Sequence, residues 1–115
     1  MTNYKRGDIV LVEFRFTEGL GSKKRPALVV SSDHYHKNRD EVIVAAITSN
    51  VKRILFADTK IEQWQEAGLL YPSLATGIIR TVKGGIIVKK LGVLTAPDLK
   101  RIEKNLTAAL QLGNS

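Results

Sequence analysis

The 115-residue chain predicts a mainly β fold with some α structure: five to six short, twisted antiparallel strands in a curved sheet or small barrel, a short helix near 59–67 and a C-terminal helix. Short apolar runs rich in β-branched residues alternate with polar, glycine-bearing stretches, the pattern of strands and their connections. A helical period replaces them in only two places, around 59–68 and after residue 95. The parts do not build βαβ units, and no glycine-rich phosphate loop follows a strand. That order argues against a nucleotide-cofactor fold.

The elements can be justified in chain order. "DIVLVEFRF" alternates loosely and reads as a strand entered at Gly7. "TEGLGSKK" is a polar loop that Gly19 and Gly21 keep flexible. "PALVVSS" reads as a buried strand that Pro26 begins, since proline has no N–H to donate to a ladder. "SSDHYHKNRDE" is a charged connection, and "EVIVAAITS" is a second near-continuous apolar strand for the middle of the sheet. "KRILFAD" reads as a further strand. In "TKIEQWQEAGLL", Thr59 and Glu62 make a T-x-x-E capping box, Ile61 and core-packing Trp64 share a face, and Gly68 stops the helix. "GIIRTV" and "IIVKKLG" flank Lys83-Gly84-Gly85, a tight hairpin. In the last segment Thr95 and Asp98 offer another capping pair, while Leu99, Ile102, Leu106 and Ala109 form a helical stripe that packs on the sheet. A single domain, 1–115, is expected to hold all of this.

An apolar fraction of 43% and a charged fraction of 25% are ordinary for a globular chain. The balance of charge is not: 18 Lys and Arg against 11 Asp and Glu leave +7. That excess favours an anionic partner, most often nucleic acid, but charge alone is equally compatible with a basic protein that has none. The absence of cysteine excludes disulfides and thiolate metal sites. His34 and His36 have no third ligand nearby and read as solvated loop histidines; no metal and no cofactor is expected. "MTNYKRGD" lacks the apolar core of a signal peptide, and "VIVAAI" is far too short to span a bilayer. The expectation is a cytoplasmic protein with no membrane contact.

Lys23, Lys24 and Arg25 stand directly before Pro26 and the apolar run. On composition they are either the solvated end of a loop or a site for a polyanion. A set of local patterns bears on that choice. In order, "RGDIVLVEF", "KKRPALVVS", "VIVAAITSN", "W-x-x-AGLL-x-PS" from Trp64 to Ser73, and "KKLGVL" resemble the MazF/PemK/Kid toxins of bacterial toxin–antitoxin systems over nearly the whole chain. The resemblance implies an SH3-like barrel with a C-terminal helix, in a homodimer. It also implies a metal-independent, mRNA-interferase-type endoribonuclease that cuts single-stranded RNA within a short sequence. Its products would carry a 2′,3′-cyclic phosphate and a 5′-hydroxyl, and a cognate antitoxin would block the RNA groove with a segment that folds on binding.

Residue by residue, Arg25 matches the arginine of the "RP" motif and Thr48 the threonine of "ITS"; the resemblance makes both catalytic. A guanidinium grips two phosphate oxygens in a fork, which lysine cannot do. A threonine hydroxyl donates to phosphate and accepts from the 2′-hydroxyl. Lys23, Lys24, Ser49, Asn50 and Arg80 are candidate RNA contacts. Each has a plainer reading: solvated lysines, a turn after the strand, and an outward strand position for Arg80. Gly19 and Gly21, within Thr17 to Lys24, would let a lid close over substrate or antitoxin. One segment departs from the pattern. Where many relatives line the RNA groove with an arginine, acid or glutamine, this chain has Ala75, Thr76, Gly77 and Ile78. Two rival functions suit the same fold: a toxin that binds DNA gyrase, and a relative that binds RNA or antitoxin without cutting.

Overall fold

The computed structural model describes residues 2–15, 19 and 21–113. Strand β1 (Asp8–Arg15) is entered through Gly7, whose φ of +101° only glycine adopts freely. Strand β2 (Ser22–Val29) and helix α1 (Asp33–Asn38) follow, then β3 (Glu41–Thr48) and the two-residue β4 (Thr59–Lys60). Strand β5 (Leu74–Lys83), a 3₁₀ turn at Gly84–Ile86, β6 (Ile87–Val93) and helix α2 (Ala96–Leu110) complete the chain.

The strands form one antiparallel sheet in the order β4-β5-β3-β2-β1-β6. Strands β5 and β6 are joined by three residues, yet β3, β2 and β1 lie between them in that order, so the sheet has to curl until its flanks approach. A side-chain contact confirms the curl. The Arg80 guanidinium, on β5, lies 4.7 Å over the Phe14 ring, on β1, whereas a flat sheet would hold those strands about 14 Å apart. Among the described residues no ladder joins β5 to β6, so the barrel is open along one seam and the expected hairpin at Lys83-Gly84-Gly85 is instead a crossing between the two flanks. Gly84 belongs there because its N–H bonds the Asp40 carbonyl at 2.8 Å and a Cβ would stand 3.1 Å from that oxygen.

Curling gives the sheet two buried faces. One encloses Val10, Val12, Val29, Val42, Val44 and Val82; the other carries Ile9, Leu28, Ala45 and Ile47 beneath α2, which contributes Ile102 with Leu99 and Leu106 beside it. Alternate residues of a strand therefore both meet apolar surroundings, which is why "ALVV" and "VIVAA" run without a polar break. Each Val, Ile or Leu among them contributes about 1.5–3 kcal/mol on burial. Ala109, the last member of the predicted stripe, is exposed because α2 has by then run past the sheet.

Four local expectations are corrected. The helix near 59–67 is absent: Thr59 and Lys60 pair with β5, and residues 62–68 make a run of turns. The competing partner is Asp98 of α2, whose buried carboxylate accepts the N–H groups of Glu62 (3.1 Å) and Gln63 (2.9 Å) and a bond from Arg101. The Thr59 hydroxyl is taken by the Asn105 amide at 2.6 Å, so neither capping pair forms; Thr95 is the N-cap of α2 without a side-chain bond. Trp64 still packs on the core. "KRILFAD" is not a strand but a loop, for reasons that lie in Asp58 (below). The charged connection contains α1, N-capped by Ser32, and His36 is buried, 2.5 Å from the Ser31 hydroxyl, rather than solvated. Finally, β2 begins at Ser22, so Lys23, Lys24 and Arg25 lie on the strand and Pro26 in its interior. The proline is tolerated because among the described residues β2 has only one partner there: its ladder with β1 reaches Ser22, but its ladder with β3 stops at Ala27.

Candidate functional site

That early stop builds the site. Strands β2 and β3 pair from Val29↔Val44 to Ala27↔Ala46 and then part. Residues 22–26 continue with β1 alone, and Ile47 and Thr48 continue with β5 alone. A groove of about 1070 Å³ opens at the fork. Carrying the Ala27↔Ala46 register on by two residues sets Arg25 across from Thr48, on the same face of the sheet. Arg80 joins them from β5, where it is paired with Val44.

Lys23, Lys24, Arg25, Thr48, Ser49 and Arg80 all line this groove. Asn50 sits just outside the lining but belongs to its rim, since its N–H donates to the Thr48 hydroxyl at 3.1 Å and its side-chain oxygen accepts from the Lys52 N–H at 3.3 Å. Because Thr48 Oγ1 already accepts, its own O–H remains as a donor directed by that bond. Gly19 and Gly21 are outside the groove lining, both at positive φ (+77° and +84°); Thr17, Glu18 and Leu20 of the expected lid fall outside the described residues.

The electrostatics are one-sided. Lys23, Lys24, Arg25, Arg80 and Lys89 supply five cations, and among the described residues no aspartate or glutamate is in the lining. Among the described residues Arg25 makes no side-chain hydrogen bond or ion pair, and Arg80 has only the Phe14 ring. Lys89, Phe14 and the wall formed by Leu69, Leu70 and Tyr71 were not singled out as site residues from sequence. "KK" before Leu91-Gly92 reads only as general positive charge, and "AGLL" as the end of a helix. The physical signal in that wall is its pair of glycines. A Cβ on Gly68 would lie 2.2 Å from the Leu91 carbonyl oxygen, and one on Gly92 the same distance from that of Ala67. Only two bare backbones let the wall press against β6.

The unusual "ATGII" segment also acquires a role. Ala45 pairs with Ile79 but Ile47 with Ala75, so two extra residues of β5 bulge opposite Ala46. The Thr76 hydroxyl bridges the gap, donating to the Ala46 carbonyl (2.8 Å) and accepting from the Ile78 N–H (3.2 Å). The bulge turns Ile78 into the groove, 61% exposed. Among the described residues no group of three or more His, Cys, Asp or Glu side chains could hold a metal ion, and no helix is long and apolar enough to cross a membrane.

An open, curled antiparallel sheet with a C-terminal helix is the fold of solved MazF-type toxins. A MazE–MazF complex from Deinococcus radiodurans superposes with a TM-score of 0.81 at 19% identity, covering 98% of this chain and all of its counterpart. An endoribonuclease in complex with its cognate antitoxin from a mycobacterial species gives 0.75 at 20% identity, over 97% and 99% of the two chains. The Mycobacterium tuberculosis toxin MazF-mt6 gives 0.71 at 21%, over 91% and 99%. No curated protein matches in sequence. The family model described as PemK-like, MazF-like toxin of type II toxin-antitoxin system matches residues 5–110, and the chain belongs to that family.

Proposed function

We propose that this protein is an endoribonuclease toxin that cuts single-stranded RNA, mRNA included, at the fork between β2 and β3 and is held inactive by a cognate antitoxin occupying the same groove. The observation that carries the reading is the groove itself: five cations with no acid among the described residues, and an arginine lining it together with a threonine hydroxyl held by the Asn50 N–H. Unpaired cations on a rigid frame cost the fold and suit a polyanion.

In this reading a ribose 2′-oxygen attacks its own phosphorus while the bond to the 5′-oxygen breaks, giving a 2′,3′-cyclic phosphate and a 5′-hydroxyl. The 2′-hydroxyl loses a proton and the leaving 5′-oxygen gains one. A guanidinium offers donors and no acceptor, so Arg25 acts on the charge that grows on the non-bridging oxygens and not as the base. Thr48 donates to the phosphate and fixes the nucleophile's position. Lys23, Lys24, Lys89 and Arg80 hold flanking phosphates, and Ser49 and Asn50 shape the rim. The reaction asks for no metal, and the active unit is a homodimer in the cytoplasm; Ser22, Lys23 and Lys24 pair with β1, so they belong to the groove's frame and not to a lid.

The test is incubation of antitoxin-free protein with a long single-stranded RNA in EDTA, with the ends of the products mapped. Discrete cuts bearing cyclic phosphate support the reading. Intact RNA with inhibited supercoiling by DNA gyrase would replace it with a gyrase-directed toxin, and salt-dependent RNA binding without product would replace it with a non-cleaving relative.

A further inference from the structure

Residues 51–58 run from the rim of the groove to β4, and Asp58 pins them. Its carboxylate accepts the N–H of Leu55 at 2.9 Å and the N–H of Gly77, in the β5 bulge, at 3.0 Å; its own N–H bonds the Leu55 carbonyl at 3.0 Å. Gly77 leaves room for the strap, because a Cβ there would come within 2.9 Å of the Ala57 Cβ. Ala57 holds a φ of +74°, in the left-handed region that residues with a Cβ avoid. Such a conformation persists only where the surroundings impose it.

The clamp has an outcome at the surface. Phe56 is turned out to 80% exposure, with Ile54 and Leu55 more than half exposed beside it. Lys52 and Arg53 are exposed too, and among the described residues neither side chain has an ion pair or hydrogen bond. The strap's one acid, Asp58, is committed to two backbone N–H groups. Through Gly77 the strap abuts Ile78, which lines the groove.

We propose that this strap is a second RNA subsite, in which the Phe56 ring stacks on an unpaired base beside the scissile step while Lys52 and Arg53 take the neighbouring phosphates. The inference rests on the RNA reading of the groove. An exposed ring close to cations is how single strands are bound without reading sequence, because every base offers a π face. The core of a protein-binding patch is depleted of charged residues, whereas here two cations without side-chain partners among the described residues directly precede the apolar triplet.

The test uses a fluorescein-labelled single-stranded DNA oligonucleotide, which lacks the 2′-hydroxyl and so binds without being cut. Phe56→Leu keeps apolar bulk but loses the π face; it should weaken binding about tenfold, and Phe56→Tyr should restore it. Lys52→Ala and Arg53→Ala should each lower the slope of log K against log salt by about 0.7. In RNA cleavage the Phe56→Leu defect should fall on KM. Equal affinity of Phe56→Leu and wild type overturns the proposal, and an altered sedimentation coefficient with unchanged DNA affinity overturns it in favour of a protein contact. A wild-type protein that neither binds the oligonucleotide nor cuts RNA removes the groove reading as well, so the two failures are told apart.

Discussion

The Asp98 knot and the cationic fork treat charge in opposite ways. At the knot, a carboxylate 1% exposed meets two backbone N–H groups and Arg101; the two backbone bonds hold Glu62 and Gln63 against α2, and the third joins Asp98 to Arg101 on the same helix. At the fork, Lys23, Lys24 and Arg25 are exposed on a strand with one free edge, and Arg25 is bonded to nothing among the described residues. The first arrangement builds the wall of the groove, and the second furnishes its contents. The difference teaches where to look for function in a small basic domain: a buried charge that is fully paired belongs to the fold, and a cluster of unpaired like charges on rigid backbone is kept for something outside it.

The contrast can be broken from either side. Asp98→Ala should have the largest effect, a loss of about 3 kcal/mol in thermal or denaturant unfolding, because three donors are left without their acceptor. Arg25→Ala should move stability by no more than about 0.5 kcal/mol, as for surface positions in general; a matching loss would erase the distinction. Gly92→Ala comes next, at about 2 kcal/mol, since its Cβ has backbone in front of it and the wall would have to move. Lys24→Ala should leave the unfolding midpoint alone and lower the salt slope of single-stranded nucleic-acid binding by about 0.7.

The smallest expected effect concerns exposed charge that is paired. Arg39 Nε lies 3.0 Å from Glu41 Oε1, and that hydrogen bond, then the Arg39 charge, holds the Glu41 carboxyl below its usual range. A lowered folded pKa means stability present above the unfolded value and lost as pH falls through the folded one. Glu41→Gln should therefore be marginally less stable than wild type near neutral pH and equal to it in acid. A difference that grew on acidification would give the pair the wrong sign.

How legible this was depends on the reach of the interactions. The strands β1, β3 and α2 could be read because their signals are local: β-branched runs buried on both faces, and a helical stripe. The "RP" and "ITS" motifs marked Arg25 and Thr48, and sequence placed them at strand ends near a loop; that they face each other across a fork depends on where the β2–β3 ladder stops. The turn at 62–68 was unreadable as such, since the group that organises it, Asp98, is 36 residues from Glu62. "KRILFAD" failed as a strand in the same way, because Asp58 ties it to Gly77, 19 residues on. The "ATGII" departure looked like a loss of polar groove residues; it is a bulge, visible only once both registers of β3 and β5 are known.

The most direct measurement compares wild type and Arg25→Ala in two readouts on the same preparation, thermal unfolding and the single-turnover rate of RNA cleavage. The account predicts equal unfolding midpoints and a cleavage rate lower by about a hundredfold or more. A folded Arg25→Ala protein that cuts at the wild-type rate would contradict it.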